Sequence, residues 1–251
     1  MNSDSNKKKI GRWKDISSDP NSSQVLVNRT ELLAKARRKE LISNRAAYIC
    51  GLAKGKEVLD VGVVDHCSGS SNREDWLHGK ICSYAKTCLG IDILEEEIRV
   101  LRDKGYNVIV WDISCEPLSQ IFDLIVIGDV IEHLGNPLGF FSNVTKMLNS
   151  GGRIVLTTPN PWYANVIIKN LFKGKPFTDS ADHVAWFDAG TFCELAARSG
   201  LVLERYAGVM ANRSSIRSAL FFRLAPILIR LGLRSEVFAK TMIYEFVLER
   251  E

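Results

Sequence analysis

The sequence predicts an α/β fold built on a doubly wound, mostly parallel sheet, and three observations point there. From Lys56 onward, short apolar runs of strand length alternate with stretches of helical periodicity. The runs are nearly continuous in Val, Ile and Leu, as strands covered on both faces must be. Four successive runs also end in an acid, at Asp60, Asp92, Asp112 and Asp129. Ligands of such sheets lie beyond the C-terminal strand ends. The bulk numbers agree: 251 residues, 46% hydrophobic and 25% charged, suffice for a sizeable core. They exclude a disordered chain, a collagen-like repeat and a disulfide-stapled miniprotein. A net charge of +4 is too small for a dedicated nucleic-acid coat.

Residues 1–27, rich in Ser, Asn, Asp and Lys, read as a mobile basic tail, and 28–251 as one domain. The start lacks the apolar stretch of a signal peptide, and no run reaches the ~18 apolar residues of a membrane span. Six cysteines without a CxxC pair read as reduced, partly buried thiols, so the expected location is cytoplasmic. A first helix is expected from about Asn28, with Leu32, Leu33, Ala36, Leu41 and Ile42 on its apolar face and Arg37, Arg38 and Lys39 opposite. Strands follow at Glu57–Val61, Thr87–Ile91, Asn107–Trp111, Leu124–Ile127 and Arg153–Thr157. Helices are expected at Leu94–Lys104, Leu138–Leu148 and Ala189–Ser199. Val202–Tyr206 and Met242–Leu248 would close the sheet as a C-terminal strand pair that brings in an antiparallel strand.

Five motifs carry a resemblance: Glu57-Val-Leu-Asp-Val-Gly62, Gly90-Ile-Asp92, the run Phe122–Leu134, Gly151-Gly-Arg-Ile-Val-Leu-Thr-Thr-Pro-Asn160, and Asp182-His-Val-Ala-Trp-Phe187. Over about residues 50–210 the sequence resembles the class I S-adenosylmethionine (SAM)-dependent methyltransferases, in the small-molecule branch that includes the ubiquinone-biosynthesis O-methyltransferases. The resemblance implies a Rossmann-like sheet and SAM as cofactor. It implies that Asp60 and Gly62 flank the methionine part and that Asp92 accepts hydrogen bonds from the ribose. Asp112 and Ile113 would then face the adenine, with Gly128 and Asp129 closing the methionyl side. The chain departs from that family after Gly62, where Val63, Val64, Asp65 and His66 replace further glycines. Either this loop is rebuilt around a bound cofactor, or the fold serves as a catalytically degenerate binding module.

Asp129, Glu132, His133 and the later His183 form a second group. If a helix starts at Asp129, the first three share a face. Carboxylate and imidazole together suit a divalent cation. Here the sequence also resembles the metal-using small-RNA 3′-terminal 2′-O-methyltransferases, with Asp129 where those carry Glu. Without a metal, His183 is the candidate general base, because imidazole titrates near working pH. His183 follows a Lys173–Ser180 stretch suited to a lid.

Asn160-Pro-Trp-Tyr163 looks like the motif of amino-directed DNA methyltransferases but follows the fifth strand rather than the fourth. It reads as a turn whose aromatics line an acceptor pocket. Arg205 to Arg234 holds six Arg and no acid among many apolar residues, within a helical insert at about 208–238. Such a stretch suits an anionic membrane surface, an anionic acceptor or, less well, RNA. The expected activity is SAM-dependent methyl transfer to a hydroxyl of a small molecule or glycan, with an RNA ribose 2′-hydroxyl as the alternative.

Overall fold

The computed structural model describes residues 12–64, 69, 72, 74–172, 180–210 and 225–249. The helices are α1 (Ser23–Ala36), α2 (Arg45–Ala53), α3 (Leu77–Tyr84), α4 (Glu95–Asp103), α5 (Pro137–Lys146), α6 (Ala164–Phe172) and α7 (Ala189–Arg198). The strands are β1 (Glu57–Val61), β2 (Thr87–Asp92), β3 (Val108–Val110), β4 (Phe122–Gly128), β5 (Leu148–Pro159), β6 (Leu201–Met210) and β7 (Ala239–Leu248). They form one sheet in the order β3-β2-β1-β4-β5-β7-β6. All neighbours are parallel except at β7, which runs antiparallel to both β5 and β6. The order reverses between β1 and β4, so the switch point lies at the ends of those two strands, where a ligand crevice is expected.

Strand alternation divides the core in two. Leu59, Val61, Ile125, Ile127, Ile154, Leu156, Tyr244 and Phe246 face one side and pack with Phe140 and Phe141 of α5 and Phe192 of α7. Val58, Leu124, Val126, Val155 and Ile243 face the other and pack with Ile49, Cys50 and Ala53 of α2 and Ile81 of α3. This period-two partition decides where every polar side chain on a strand must point. Asp60 therefore shares the side of Val58 and α3. Glu245 falls on the same side, buried, where Tyr48 and Arg205 approach its Oε1 and Arg153 its Oε2.

The strands follow in the expected order, but α2, α3 and α6 have no counterpart among the expected helices, and several boundaries differ. α1 begins at Ser23, because Ser22 Oγ caps it by accepting from Val25 N at 3.4 Å. A 3-10 turn at Trp13–Asp15 precedes it, so ordered structure reaches well into the expected tail. α1 also stops at Ala36, short of Leu41 and Ile42. Arg37 leaves the helix to bind Glu236 through two nitrogens, and the chain then bridges to β6 at Tyr206 and Val209. The basic run Arg37–Lys39 is thus a connector rather than a helix face. β5 is far longer than Arg153–Thr157 because Gly151, at φ 82°, lets the strand begin at Leu148.

Of the basic insert, residues 211–224 lie outside the described residues. In its remainder, residues 225–230 are helical, Ala225, Leu228 and Ile229 pack on Phe238, and Ile227 and Leu231 are exposed. Among the described residues, no helix is long and apolar enough to cross a membrane.

Candidate active site

The strand ends give the site its floor. β1 ends into Gly62, whose φ of 80° and position 2.4 Å from Val130 Cγ2 for an added Cβ leave no room for a side chain. Gly62 N donates to Ile91 O at 2.9 Å, holding the turn against β2. Val63 and Val64 turn inward and are buried with Trp76, Ile98, Leu101 and Val108. Trp76 Nε1 donates to Val63 O at 3.0 Å. The valines occupy a satellite core of their own, and their side chains do not project over the rim. Asp65 and His66 lie outside the described residues.

The four strand-end acids do not act alike. Asp92 Oδ2 accepts from Val64 N at 3.0 Å and Oδ1 from Leu94 N at 3.2 Å, tying the loop to the start of α4. A carboxylate retains acceptor capacity after two such bonds. Ile93 and Leu94, exposed beside it, offer apolar surface. Asp112 is exposed and caps its own turn through Ser114 N and the Cys115 thiol, which together hold its carboxyl below the usual range, the thiol being the larger cause. The Ile113 side chain is buried in the core, and its carbonyl accepts from Asn143 Nδ2 at 2.9 Å. Only its backbone is left to face a ligand.

Asp60 does not line the rim, where the resemblance would put it. Strand alternation turns it away from the rim, and its Oδ2 lies 2.9 Å from Nδ1 of the fully buried His78 on α3. Burial works to lower the His78 pKa, but the Asp60 carboxylate and the Cys82 sulfur outweigh it and lift it to about 9. Asp60 therefore supports the loop from beneath. Periodicity alone puts the residue at the strand end without revealing its face.

Asp129 and Glu132 do not share a helix face. Asp129 has φ 53°, and a short 3-10 turn at Ile131–His133 follows, while α5 starts only at Pro137. The left-handed backbone throws the Asp129 carboxylate towards Arg45 of α2, with which it pairs, and towards Thr157 Oγ1 at 3.2 Å. Asn136 caps α5 through Gly139 N, and Pro137 at its first turn forbids an earlier start.

Glu132, His133 and His183 do come together, with one ligating atom of each within 4.8 Å of the others. The backbone does the positioning. Val184 N and Ala185 N both donate to Glu132 O, at 2.9 and 3.3 Å, laying the 182–186 segment across the end of β4. His183 then packs edge-on to His133, with ring centroids 4.8 Å apart, and 6.4 Å from Trp186. Asp182 Oδ2 lies 3.0 Å from His133 Nδ1. Glu132 is buried, its Oε2 accepts from Thr158 Oγ1 at 3.0 Å, and its Oε1 has no hydrogen-bond partner among the described residues. Burial, with the Asp129 charge adding to it, lifts the Glu132 pKa to about 7. The expected lid, 173–179, lies outside the described residues.

Asn160 is a stitch. Its Nδ2 donates to Glu236 O and Ala239 O at 2.7 and 2.8 Å, and its Oδ1 accepts from Trp162 N. That fixes the turn after β5 and leaves Trp162 exposed, with Nε1 on Asp188 Oδ2 at 3.2 Å.

A family profile described as a methyltransferase domain matches residues 33–206, more than half of the chain. The chain belongs to the SAM-dependent methyltransferases. Among curated relatives of this methyltransferase, it is 25% identical over 175 residues to a ubiquinone biosynthesis O-methyltransferase of Thiobacillus denitrificans, a match covering 63% of this chain and 69% of that one. It is 28% identical over 116 residues to a demethylmenaquinone methyltransferase of Tropheryma whipplei, covering 44% of this chain but only 45% of that one. Among solved structures, the fold matches magnesium protoporphyrin IX methyltransferase from Synechocystis with bound SAH, at TM-score 0.52 and 16% identity over 94% of this chain and 93% of that one. It also matches a TehB-like SAM-dependent methyltransferase from Corynebacterium glutamicum, at TM-score 0.51 and 19% identity over 92% and 100% of the two chains.

The methyltransferase retains features that suit SAM. Gly62 keeps its side-chain-free turn at the switch point, Asp92 keeps acceptor capacity beside exposed Ile93 and Leu94, and Val63 and Val64 are buried away from the surface.

Proposed function

We propose that this methyltransferase acts on a hydroxyl of a small molecule or glycan, with His183 taking the hydroxyl proton. The observation that carries the reading is the docking of the 182–186 segment on the Glu132 carbonyl, which sets an imidazole at the end of β4 beside the switch point. Bound SAM would supply a methyl group on a sulfonium leaving centre. The chain's own work is then to hold the reactants in line and to accept one proton as the carbon–oxygen bond forms. Asp92 would hold the ribose, Gly62 and Gly128 would let the backbone approach the methionine part, and the Asp112–Ile113 turn would face the adenine. Trp186, perpendicular to His183, would pack on an acceptor ring. The likeness to relatives named for O-methylation supports the choice of oxygen.

A second reading rests on the Glu132 oxygen that lacks a partner. A divalent cation held by Glu132 Oε1, His133 and His183 would satisfy that oxygen, and carboxylate with imidazole is a suitable donor set. Asp129 is outside this set because Arg45 holds it. Such a site would orient a vicinal diol, as on a catechol or a 3′-terminal ribose.

The test is transfer from radiolabelled SAM to a panel of phenols, sugars and short RNAs, repeated after chelation. His183→Ala should lower turnover by about 10²- to 10⁴-fold with SAM affinity unchanged. Unchanged turnover would contradict the proton-transfer role. Activity lost on chelation and restored by a divalent cation would favour the second reading.

A further inference from the structure

A second convergence of donor atoms lies beneath the cofactor loop, apart from Glu132 and His183. His78 and Cys82 stand one turn apart on α3, so they share a face, and Cys88 reaches them from β2. One donor atom from each lies within 4.8 Å of the other two. Cys82 Sγ is 3.4 Å from His78 Nε2, and Cys88 Sγ is 4.0 Å from Nδ1 of the same ring. The ring itself is held on two sides. Asp60 Oδ2 fixes Nδ1 at 2.9 Å, and a Cβ on Gly90 would stand 2.7 Å from His78 Cε1. Gly90 is therefore the only residue type that leaves the imidazole its place. The side chain of His78 is fully buried, whereas Cys82 and Cys88 are partly exposed, which leaves an approach from solvent.

We propose that His78, Cys82 and Cys88 bind a zinc ion. Two thiolates and an imidazole are the donors that zinc selects, at bond lengths of about 2.3 and 2.0 Å. Cys82 Sγ, 3.4 Å from Nε2, already suits a shared ion, and Cys88 Sγ, 4.0 Å from Nδ1, has to swing toward the Nε2 edge of the ring. Asp60 is the outer partner. Its hydrogen bond to Nδ1 leaves Nε2 to the metal, the carboxylate–histidine–metal arrangement that orients ligands in many sites. Binding releases to solvent the protons carried by the two thiols and by Nε2, and the two thiolate charges balance the ion. With three protein ligands, the fourth position is left to water.

The site has a structural consequence. Zinc would tie α3 to β2 directly below Gly62–Val64, where Trp76 also anchors the loop. It would brace the segment that has given up its glycines.

The experiment uses the full chain, reduced and stripped with a chelator, then titrated with cobalt(II) and with zinc. One equivalent of cobalt should produce a near-ultraviolet thiolate-to-metal charge-transfer band and the visible bands of a tetrahedral ion, and zinc should displace it. Cys82→Ser and Cys88→Ser should each abolish that band, Asp60→Asn should weaken binding by about 10- to 100-fold, and Cys115→Ser should leave it intact. Circular dichroism of each variant separates loss of the site from loss of the fold. Glu132, His133 and His183 contain no sulfur, so cobalt bound there gives no charge-transfer band and cannot be mistaken for this site. A reduced, folded wild type without the band would overturn the proposal, as would a band that survives both serine variants.

Discussion

Thr158 donates to the Glu132 carboxylate at 3.0 Å, across the space between the end of β5 and the 3-10 turn after β4. The other Glu132 oxygen is buried without a hydrogen-bond partner among the described residues. A buried carboxylate so placed resists ionisation, and its pKa stands at about 7 against the usual 4.5. The folded chain thus keeps a proton between pH 4.5 and 7 that the unfolded chain releases. Stability from this group is present below pH 4.5, falls as pH rises through 7, and is flat above. The difference amounts to about 3 kcal/mol. Chelator-treated wild type should lose most of that relative to Glu132→Gln between pH 5 and 8 in urea denaturation. Parallel stability curves for the two proteins would contradict it.

Gly62 is required by both backbone and space. A methyl group there meets Val130 Cγ2 at 2.4 Å in a left-handed conformation. Gly62→Ala should cost about 2 kcal/mol or more in chemical denaturation. A loss under about 0.5 kcal/mol would mean that the turn after β1 is not held as described.

Trp76 links the satellite core to the loop through Val63 O. Trp76→Phe keeps the ring and removes the donor, so it should cost about 1 kcal/mol. Because Val64 N is bonded to Asp92, the same variant should also weaken SAM binding severalfold, as read by calorimetry. A stability loss with unchanged affinity would separate the loop from the cofactor.

Much of this was legible in the sequence, and the failures have physical reasons. β1 was readable to the residue because Val58, Leu59 and Val61 form a short β-branched and apolar run punctuated by Gly55 and Gly62. The strand-end position of Asp92 followed from the same logic. Asp60 did not follow, because strand periodicity says which residues share a face and not which face holds a buried histidine 18 residues later. His78, with Cys82 and Cys88, was missed as a group. Its signals were the i, i+4 spacing of His78 and Cys82 and a glycine in the middle of an otherwise apolar strand. Asp129 misled because acid-x-x-acid-His reads as a helix start. Its left-handed backbone, set by Arg45 and Thr157 from distant elements, is a tertiary fact. Leu41 and Ile42 kept helical spacing by accident, their segment being drawn off to pair with β6.

The central claim is that the rim of β1, β2 and β4 binds SAM through residues this chain retains despite its altered loop. Calorimetric titration of the full chain with SAH, in wild type and Asp92→Ala, tests it most directly. The account predicts one site in the wild type and an affinity about tenfold or more weaker in the variant, the loss expected for hydrogen bonds to a charged group. No heat and no thermal shift in the wild type, or equal affinity in the two proteins, would contradict it.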